Sequence, residues 1–273
     1  MNEYITKIVK EALNEDIPRI DVSSEFLFSN QTSTGSFIAK EAGVISGLSV
    51  CQEVFMQIDK DIVFKPLVED GTFVKKGEII ATVDGLTKSI LKAERVALNF
   101  LQRMSGIATM TSMFVQEVSG FKTKILDTRK TTPLLRVLEK QAVLDGGGTN
   151  HRMNLSDMVM LKDNHLKAAE SIVEAVKKVR NAIGKTLKIE VEVETIEQFE
   201  EALKSDCDII MLDNMSNDLM KQCVEMNKTR KKIEASGNMS LNRVRSVAET
   251  GVDFISVGAL THSVKALDIS LKF

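Results

Sequence analysis

From residue 124 onward the chain repeats one pattern: a short apolar run, a polar turn, then an amphipathic helix. The runs are KILDTR, DMVMLK, KIEVEVE, DIIMLDN, KIEASG and DFISVG. Most are separated by HLKAAESIVEAVKKVRNAI, TIEQFEEALKS, SNDLMKQCVEMNK or SLNRVRSVAET, whose apolar residues recur at helical spacing. Alternating strand and helix units build a parallel sheet. An open doubly wound sheet gathers function at one switch point, whereas an α/β barrel spreads it over the C-terminal ends of many strands. Here the run ends carry Arg129 and Lys130, then Lys162, Glu192, Asp213, Ser236 with Gly237, and Gly258. That spread predicts a barrel. Six runs are clear and a seventh is suspected, fewer than the eight of a complete barrel.

The first third of the chain follows other rules. MNEYITKIVKEALNEDI places Ile5, Ile8, Val9 and Leu13 on one helical face between charges, which predicts an amphipathic helix rather than a signal peptide. STGSFIAKEAGVISG alternates as a strand, GLSVCQEVFMQI is helical by period, and IVFKPLVEDGTFVKKGEIIATVDG gives short strands punctuated by Asp70-Gly71 and Lys76-Gly77. This last segment resembles the hairpins of lipoyl and biotinyl carrier modules but lacks their isolated lysine, so a structural β layer is expected. Residues 91–117 form a long apolar helix with a break expected at Ser105-Gly106. Leu98, Phe100, Leu101, Met104 and Ile107 spread widely round it, more than a peripheral helix needs, which points to burial against a second domain or a second subunit.

The formal net charge of −2 removes any global basic signal, and the lack of Trp leaves few stacking platforms, so no nucleic-acid partner is expected. No apolar run approaches the roughly 20 residues that span a bilayer, and a cytoplasmic protein without a membrane partner is expected. Cys51, Cys207 and Cys223 are odd in number and without metal-ligand spacing, as unpaired core thiols are.

Cations and glycines concentrate in DTRKTTPLLRVLEKQAVLDGGGTNHRMNLSDMVMLKDNH, residues 127–165. Arg129-Lys130 and Lys162 follow strand runs, and His151-Arg152 follows the triple glycine Gly146, Gly147 and Gly148. Together they suggest a site for a small anion. Arg136, Leu138, Glu139 and Lys140 read instead as a solvated helix face, so Lys130→Ala is expected to cost far more activity than Lys140→Ala. Glu192 and Asp213 suit a hydrated Mg2+ carried by a polyphosphate. Some of the alternating Glu190, Glu192 and Glu194 must point outward, and neither His151 nor His165 has the spacing of a zinc set. Ser236-Gly237-Asn238 and Gly258-Ala259, at the last two strand ends, suit a phosphate held by backbone N–H groups.

TRKTTP, EKQAV followed by GGG and NHR, LKDNH, EVE, LDN, EASG and ISVGALTHS, in this order and at these intervals, resemble the quinolinate phosphoribosyltransferase family, from about residue 12 to the end. The resemblance implies an α/β protein. An N-terminal α/β sandwich domain, residues 1–105 completed by 266–273, would accompany an incomplete, about seven-stranded parallel α/β barrel, residues 106–265. It implies a pentosyltransferase that moves the phosphoribosyl group of phosphoribosyl pyrophosphate to quinolinate with decarboxylation, in NAD biosynthesis, with Mg2+ as cofactor. By motif, Thr128, Arg129, Lys130, His151, Arg152 and Lys162 would hold the pyridine dicarboxylate and nearby phosphates. Glu192 and Asp213 would serve the Mg2+-bound donor, with Lys130 beside them in the catalytic step, and Ser236, Gly237, Asn238 and Gly258 would take the 5′-phosphate. Arg95, in ERVALN, would reach in from the partner of a homodimer with shared sites, or of a hexamer. Leu134 stands where glycine is usual in the family, Gln141 where an aromatic is frequent, and Asn238 where a second glycine often occurs. The alternatives are a molybdate-transport-associated paralogue with another substrate, a Schiff-base lyase using Lys162, and a non-catalytic interaction module built on the carrier-like hairpin.

Overall fold

In the computed structural model, which describes residues 3–166 and 169–273, the chain divides into two compact units. The helices expected to begin at residue 1 and at His165 include residues 1–2 and 167–168, which lie outside the described residues. One unit holds the chain up to Ser112 together with Thr131–Gly147 and Ser263–Phe273; the other holds Met113–Lys130 and Gly148–His262.

The first unit opens with helix α1 (Glu3–Asp16), which buries Val9 and Leu13 as its period requires, and the short α2 (Ser24–Leu27). The segment expected to be one strand is two, β1 (Thr32–Ala39) and β2 (Gly43–Val44), because the chain leaves β1 to pair elsewhere. Then come α3 (Leu48–Ile58), β3 (Val63–Pro66), β4 (Phe73–Val74) and β5 (Ile79–Leu86). Strands β2 and β4 pair with each other, and Gly71 and Gly77 take positive φ at the expected turns. Phe37, Phe55 and Phe64 pack with ring centroids 5.7–6.0 Å apart at the core of this unit.

Helix α4 (Thr87–Glu117) runs unbroken through Ser105-Gly106, against expectation. The glycine answers a packing need: a Cβ on Gly106 would lie 2.2 Å from the Lys265 carbonyl oxygen. Gly106→Ala is therefore expected to lower stability by about 1–3 kcal/mol, the cost of overpacking, although alanine is the better helix former. Thermal unfolding checks this, and an unchanged or higher melting temperature would show that the contact yields freely. Leu98, Phe100, Leu101, Met104 and Ile107 are all buried within the single chain, so their apolar surplus does not by itself call for a second subunit.

After β6 (Lys124–Leu126) the chain returns to the first unit for α5 (Arg136–Asp145), which is not the solvated helix expected. Leu138, Glu139 and Lys140 are fully buried, and Glu139 receives Arg103 at 2.5 and 3.0 Å and the Thr132 amide at 3.1 Å. The triple glycine also serves packing. A Cβ on Gly146 would meet the Ala108 carbonyl at 2.4 Å, while Gly147 takes φ 82°.

The second unit continues with β7 (Val159–Leu161), α6 (Asp163–Leu166), α7 (Ile172–Ile183), β8 (Ile189–Val193), α8 (Ile196–Lys204), β9 (Ile209–Asp213), α9 (Asn217–Met226), β10 (Lys232–Ser236), α10 (Leu241–Ala248), β11 (Phe254–Ser256) and α11 (Ala259–His262). Ser171, Thr195 and Ser216 cap α7, α8 and α9 by accepting the amide three residues on, which starts each helix just past a polar turn. Six parallel strands lie in the order β6-β11-β10-β9-β8-β7, and the suspected seventh is reduced to a single parallel bridge between Thr149 and Leu126. All six predicted runs are strands. The last strand, β12 (Ile269–Lys272), goes back to the first unit, where the antiparallel order is β12-β1-β5-β3.

All three cysteines are free and buried, as expected of core thiols, and burial holds each thiol above its ordinary pKa. Among the described residues no helix is long and apolar enough to cross a membrane.

Candidate active site

A cavity of about 700 Å3 opens at the C-terminal ends of the six parallel strands, entirely within the second unit. Register explains its lining. Asp213 of β9 pairs with Ser236 of β10, and Leu126 of β6 with Ser256 of β11, so the residues that follow these strands emerge at one rim. Thr128, Arg129 and Lys130 follow β6, His151 and Arg152 follow the Thr149 bridge, and Lys162 follows β7. Glu192, Asp213, Ser236, Gly237, Asn238 and Gly258 complete the set expected from the sequence. Arg95 does not line the cavity and is exposed on α4 of the first unit. Arg136, Lys140 and the triple glycine do not line the cavity.

The cations are held, not loose. Lys162 Nζ donates to Glu192 Oε2 at 2.5 Å. Arg152 donates to the Met158 carbonyl at 3.0 Å, and burial, then the neighbouring Arg129, lowers its pKa and makes its charge costly, a cost that an anionic ligand relieves. The Lys130 amide donates to Thr128 Oγ1 at 3.1 Å, and Thr261 Oγ1 donates to the Lys130 carbonyl at 2.8 Å, which fixes the chain after β6.

The loops after β9 and β10 form a backbone cradle. Gly237 takes φ 91°, and a Cβ there would fall 2.2 Å from Asn214 Oδ1. Asn238 Nδ2 donates to Asn214 Oδ1 at 3.1 Å, and Asn214 Nδ2 donates to Asp213 Oδ2 at 2.8 Å. Arg243 of α10 donates to the Gly237 carbonyl at 3.1 Å and the Met215 carbonyl at 2.9 Å, tying the loops after β9 and β10 together. Asn238 has φ 50°, which asparagine tolerates, so its departure from glycine leaves the cradle its shape.

Beneath the rim the structure gathers what spacing could not show. Glu190 lies inside the barrel on the same face as Glu192, not outward, and is fully buried with Glu234 of β10. His151 Nε2 lies 3.0 Å from Glu190 Oε2 and 3.4 Å from Glu234 Oε2, and Ser256 Oγ donates to Glu234 Oε1 at 2.5 Å. Burial, then Glu234 beside it, pushes the Glu190 carboxyl up to about 7. For His151, burial opposes a charged ring, the two carboxylates favour one, and the balance of these effects is upward. The hydrogen bond at the other nitrogen decides otherwise. His151 Nδ1 accepts the Arg152 amide at 2.7 Å, so it carries no proton, and the ring is neutral with its proton on Nε2. The second proton of the cluster then belongs to the carboxylate pair. The same three side chains form a group close enough to hold a metal ion, drawn from three separate segments and so invisible to local spacing. As they stand they contact one another at hydrogen-bond distances. The lining also includes Asn214, Met239, Ser256 and His262, which sequence reasoning missed; His262 lies one helical turn beyond Gly258 and could have been found from that offset.

Two family models match the chain: the quinolinate phosphoribosyl transferase N-terminal domain over residues 21–105 and its C-terminal domain over 107–272. The Bacillus subtilis protein named probable nicotinate-nucleotide pyrophosphorylase [carboxylating] is 43% identical, over 98% of this chain and 92% of that one. A mitochondrial quinolinate phosphoribosyltransferase [decarboxylating] 2b of Nicotiana tabacum is 43% identical over 98% of this chain and 82% of its own length. The crystal structure of NadC from Streptococcus pyogenes superposes with a TM-score of 0.96 at 43% identity, covering 98% of this chain and 95% of that one.

Proposed function

Because the chain belongs to the quinolinate phosphoribosyltransferase family, we propose a division of labour among its rim residues for that family's reaction. The protein transfers the phosphoribosyl group of phosphoribosyl pyrophosphate to quinolinate with decarboxylation, giving nicotinate mononucleotide, CO2 and pyrophosphate, a step of NAD biosynthesis. The observation that carries the assignment of roles is the cavity itself, whose lining brings together cations and a glycine cradle.

Arg129, Arg152 and Lys162 take the two carboxylates of quinolinate, with Thr128 and His151 beside them, because planar guanidinium forks match carboxylates in a site that excludes water. Ser236, Gly237, Asn238 and Gly258 take the 5′-phosphate of the donor, whose approach needs the missing Cβ atoms. Lys130 lies against Gly258, where it neutralises charge building on departing pyrophosphate. As that bond lengthens, positive charge grows on the ribose C1 and the pyridine nitrogen attacks it. The quaternary nitrogen then stabilises the carbanion left when the C2 carboxylate departs as CO2. No pyridoxal or thiamine is needed.

Glu192 and Asp213 fit a hydrated Mg2+ better than a direct cage, since each carboxylate is already engaged, by Lys162 and by Asn214. Bound with the donor, Mg2+ supplies charge neutralisation of the pyrophosphate. The same Lys162–Glu192 pair counts against a Schiff-base lyase, which needs a free amine. Incubation with quinolinate, phosphoribosyl pyrophosphate and Mg2+ tests the assignment. Nicotinate mononucleotide should accumulate, whereas no nucleotide here, together with a Lys162 adduct trapped by borohydride in a separate incubation with a carbonyl substrate, would favour the lyase.

We also assign a cytoplasmic homodimer with shared sites. Arg95 is exposed on α4, and Val22, Phe26 and Leu27 of the first unit are exposed large apolar side chains. Arg95→Ala and Lys130→Ala should each be nearly inactive alone. With free exchange, equal mixing makes about half the molecules heterodimers, and about a quarter of wild-type activity returns through their one intact site. No recovery despite demonstrated exchange would put Arg95 in its own chain's service.

A further inference from the structure

The floor of the cavity holds groups that the reaction as assigned leaves unused. Glu190, Glu234 and Asp127 are fully buried: Glu190 and Glu234 lie within β8 and β10, and Asp127 directly follows β6. Burying one carboxylate costs several kcal/mol, and setting a second beside it costs more. Apolar residues would make a more stable floor. What the acids achieve is visible at His151, which groups from four of the parallel strands approach. Asp127 Oδ1 accepts the His151 amide at 2.9 Å, Glu190 and Glu234 face Nε2, and Ser256 fixes Glu234. At the ring's other nitrogen, Nδ1 accepts the Arg152 amide at 2.7 Å. Nδ1 is thus hydrogen-bonded and Nε2 lies at ion-pair distance from both carboxylates, so turning the ring would give up these contacts.

We propose that Glu190 and Glu234 are positioning residues for the dicarboxylate: they lock the His151 ring, the ring holds the Arg152 backbone, and the guanidinium is thereby set at the angle the substrate carboxylate requires. The bracket orients one side of the cavity only. The phosphate cradle is built separately, by Asn214 and Arg243. This inference rests on the assignment of the Arg152 wall to quinolinate.

The test uses the full-length protein and two substitutions at the same site. Glu234→Gln keeps an oxygen acceptor in place, and Glu234→Leu removes it while filling the volume. With melting temperatures confirming that both are folded, Glu234→Leu should raise KM for quinolinate about tenfold or more, and Glu234→Gln should recover most of that loss. KM for phosphoribosyl pyrophosphate should stay within about twofold in both, a split that a general loosening of the barrel would not produce. Glu190→Leu should behave as Glu234→Leu. If both KM values rise together, or neither moves, the bracket does not position the substrate. Imidazole nitrogen spectra of the ligand-free protein give a second readout. The ring signals should be single and sharp in the wild type and broadened or doubled by ring reorientation in Glu234→Leu; identical signals in both proteins would overturn the proposal. So would a stoichiometric metal ion that purifies with the wild type and is lost in Glu234→Leu. A wild type that does not turn quinolinate over sinks the assigned reaction, yet the nitrogen spectra and calorimetric affinity for quinolinate still judge the bracket.

Discussion

Arg152→Ala should lower kcat/KM for quinolinate by roughly 10²–10³-fold while leaving the melting temperature near that of the wild type. The side chain is half-buried, lines the cavity, and is braced by the Met158 carbonyl, so its direction is set before ligand arrives. Truncation leaves a substrate carboxylate desolvated against no partner, which costs roughly 2–5 kcal/mol at a buried charge pair. Arg152→Lys should recover only part of the loss, because an ammonium keeps the charge and loses the fork. A loss of less than about tenfold in Arg152→Ala would remove Arg152 from the substrate wall.

Nicotinate, which lacks the second carboxylate, should be a worse substrate than quinolinate by roughly 10⁴-fold in kcat/KM. The reason is the desolvation already present: burial and Arg129 make the charge on Arg152 costly beyond what Glu190 and Asp157 offset, and an anion at that point relieves it. A site built to pair with a group rejects the analogue without it more strongly than an apolar pocket rejects a missing methylene. Comparable kcat/KM for the two acids would defeat this reading of the cationic wall. Lys140 makes a useful contrast with Lys130. Being fully buried in α5, Lys140 should cost stability on replacement by alanine, where Lys130→Ala should cost turnover.

Strands were legible because each second-unit run is short, apolar and bounded by polar turns, and the rim followed because parallel strands all end on the same side. The misreadings share a cause: the partner was distant in sequence. Glu139 looks solvated in isolation, yet Arg103 lies 36 positions earlier and meets it in the fold. Gly106 reads as a helix break until the Lys265 carbonyl is seen against it. The alternation of Glu190, Glu192 and Glu194 left open which of them points outward, although Glu190 and Glu192 share a face by parity. Glu190 faces His151, which arrives from a loop that no local pattern connects to β8.

The family pattern carried information that period and composition did not. Leu134, where the family usually has glycine, adopts φ 68°, and Asn238 adopts φ 50°. Both positions are left-handed, so glycine is the undemanding choice at each and asparagine the tolerable one. Leucine is neither, and the backbone at Leu134 is strained; its carbonyl accepts from the Tyr4 hydroxyl at 3.1 Å.

The central claim is that the rim of the second unit joins ribose to the pyridine nitrogen and then expels the adjacent carboxylate. Quinolinate labelled separately at each carboxyl carbon tests it most directly. With phosphoribosyl pyrophosphate and Mg2+, label at the C2 carboxylate should leave as CO2 in step with nucleotide formed, and label at the C3 carboxylate should stay in the nucleotide. Both signals should fall together in Lys130→Ala at unchanged melting temperature. Retention of both labels in the nucleotide, or release of CO2 without the phosphoribosyl donor, would contradict the account.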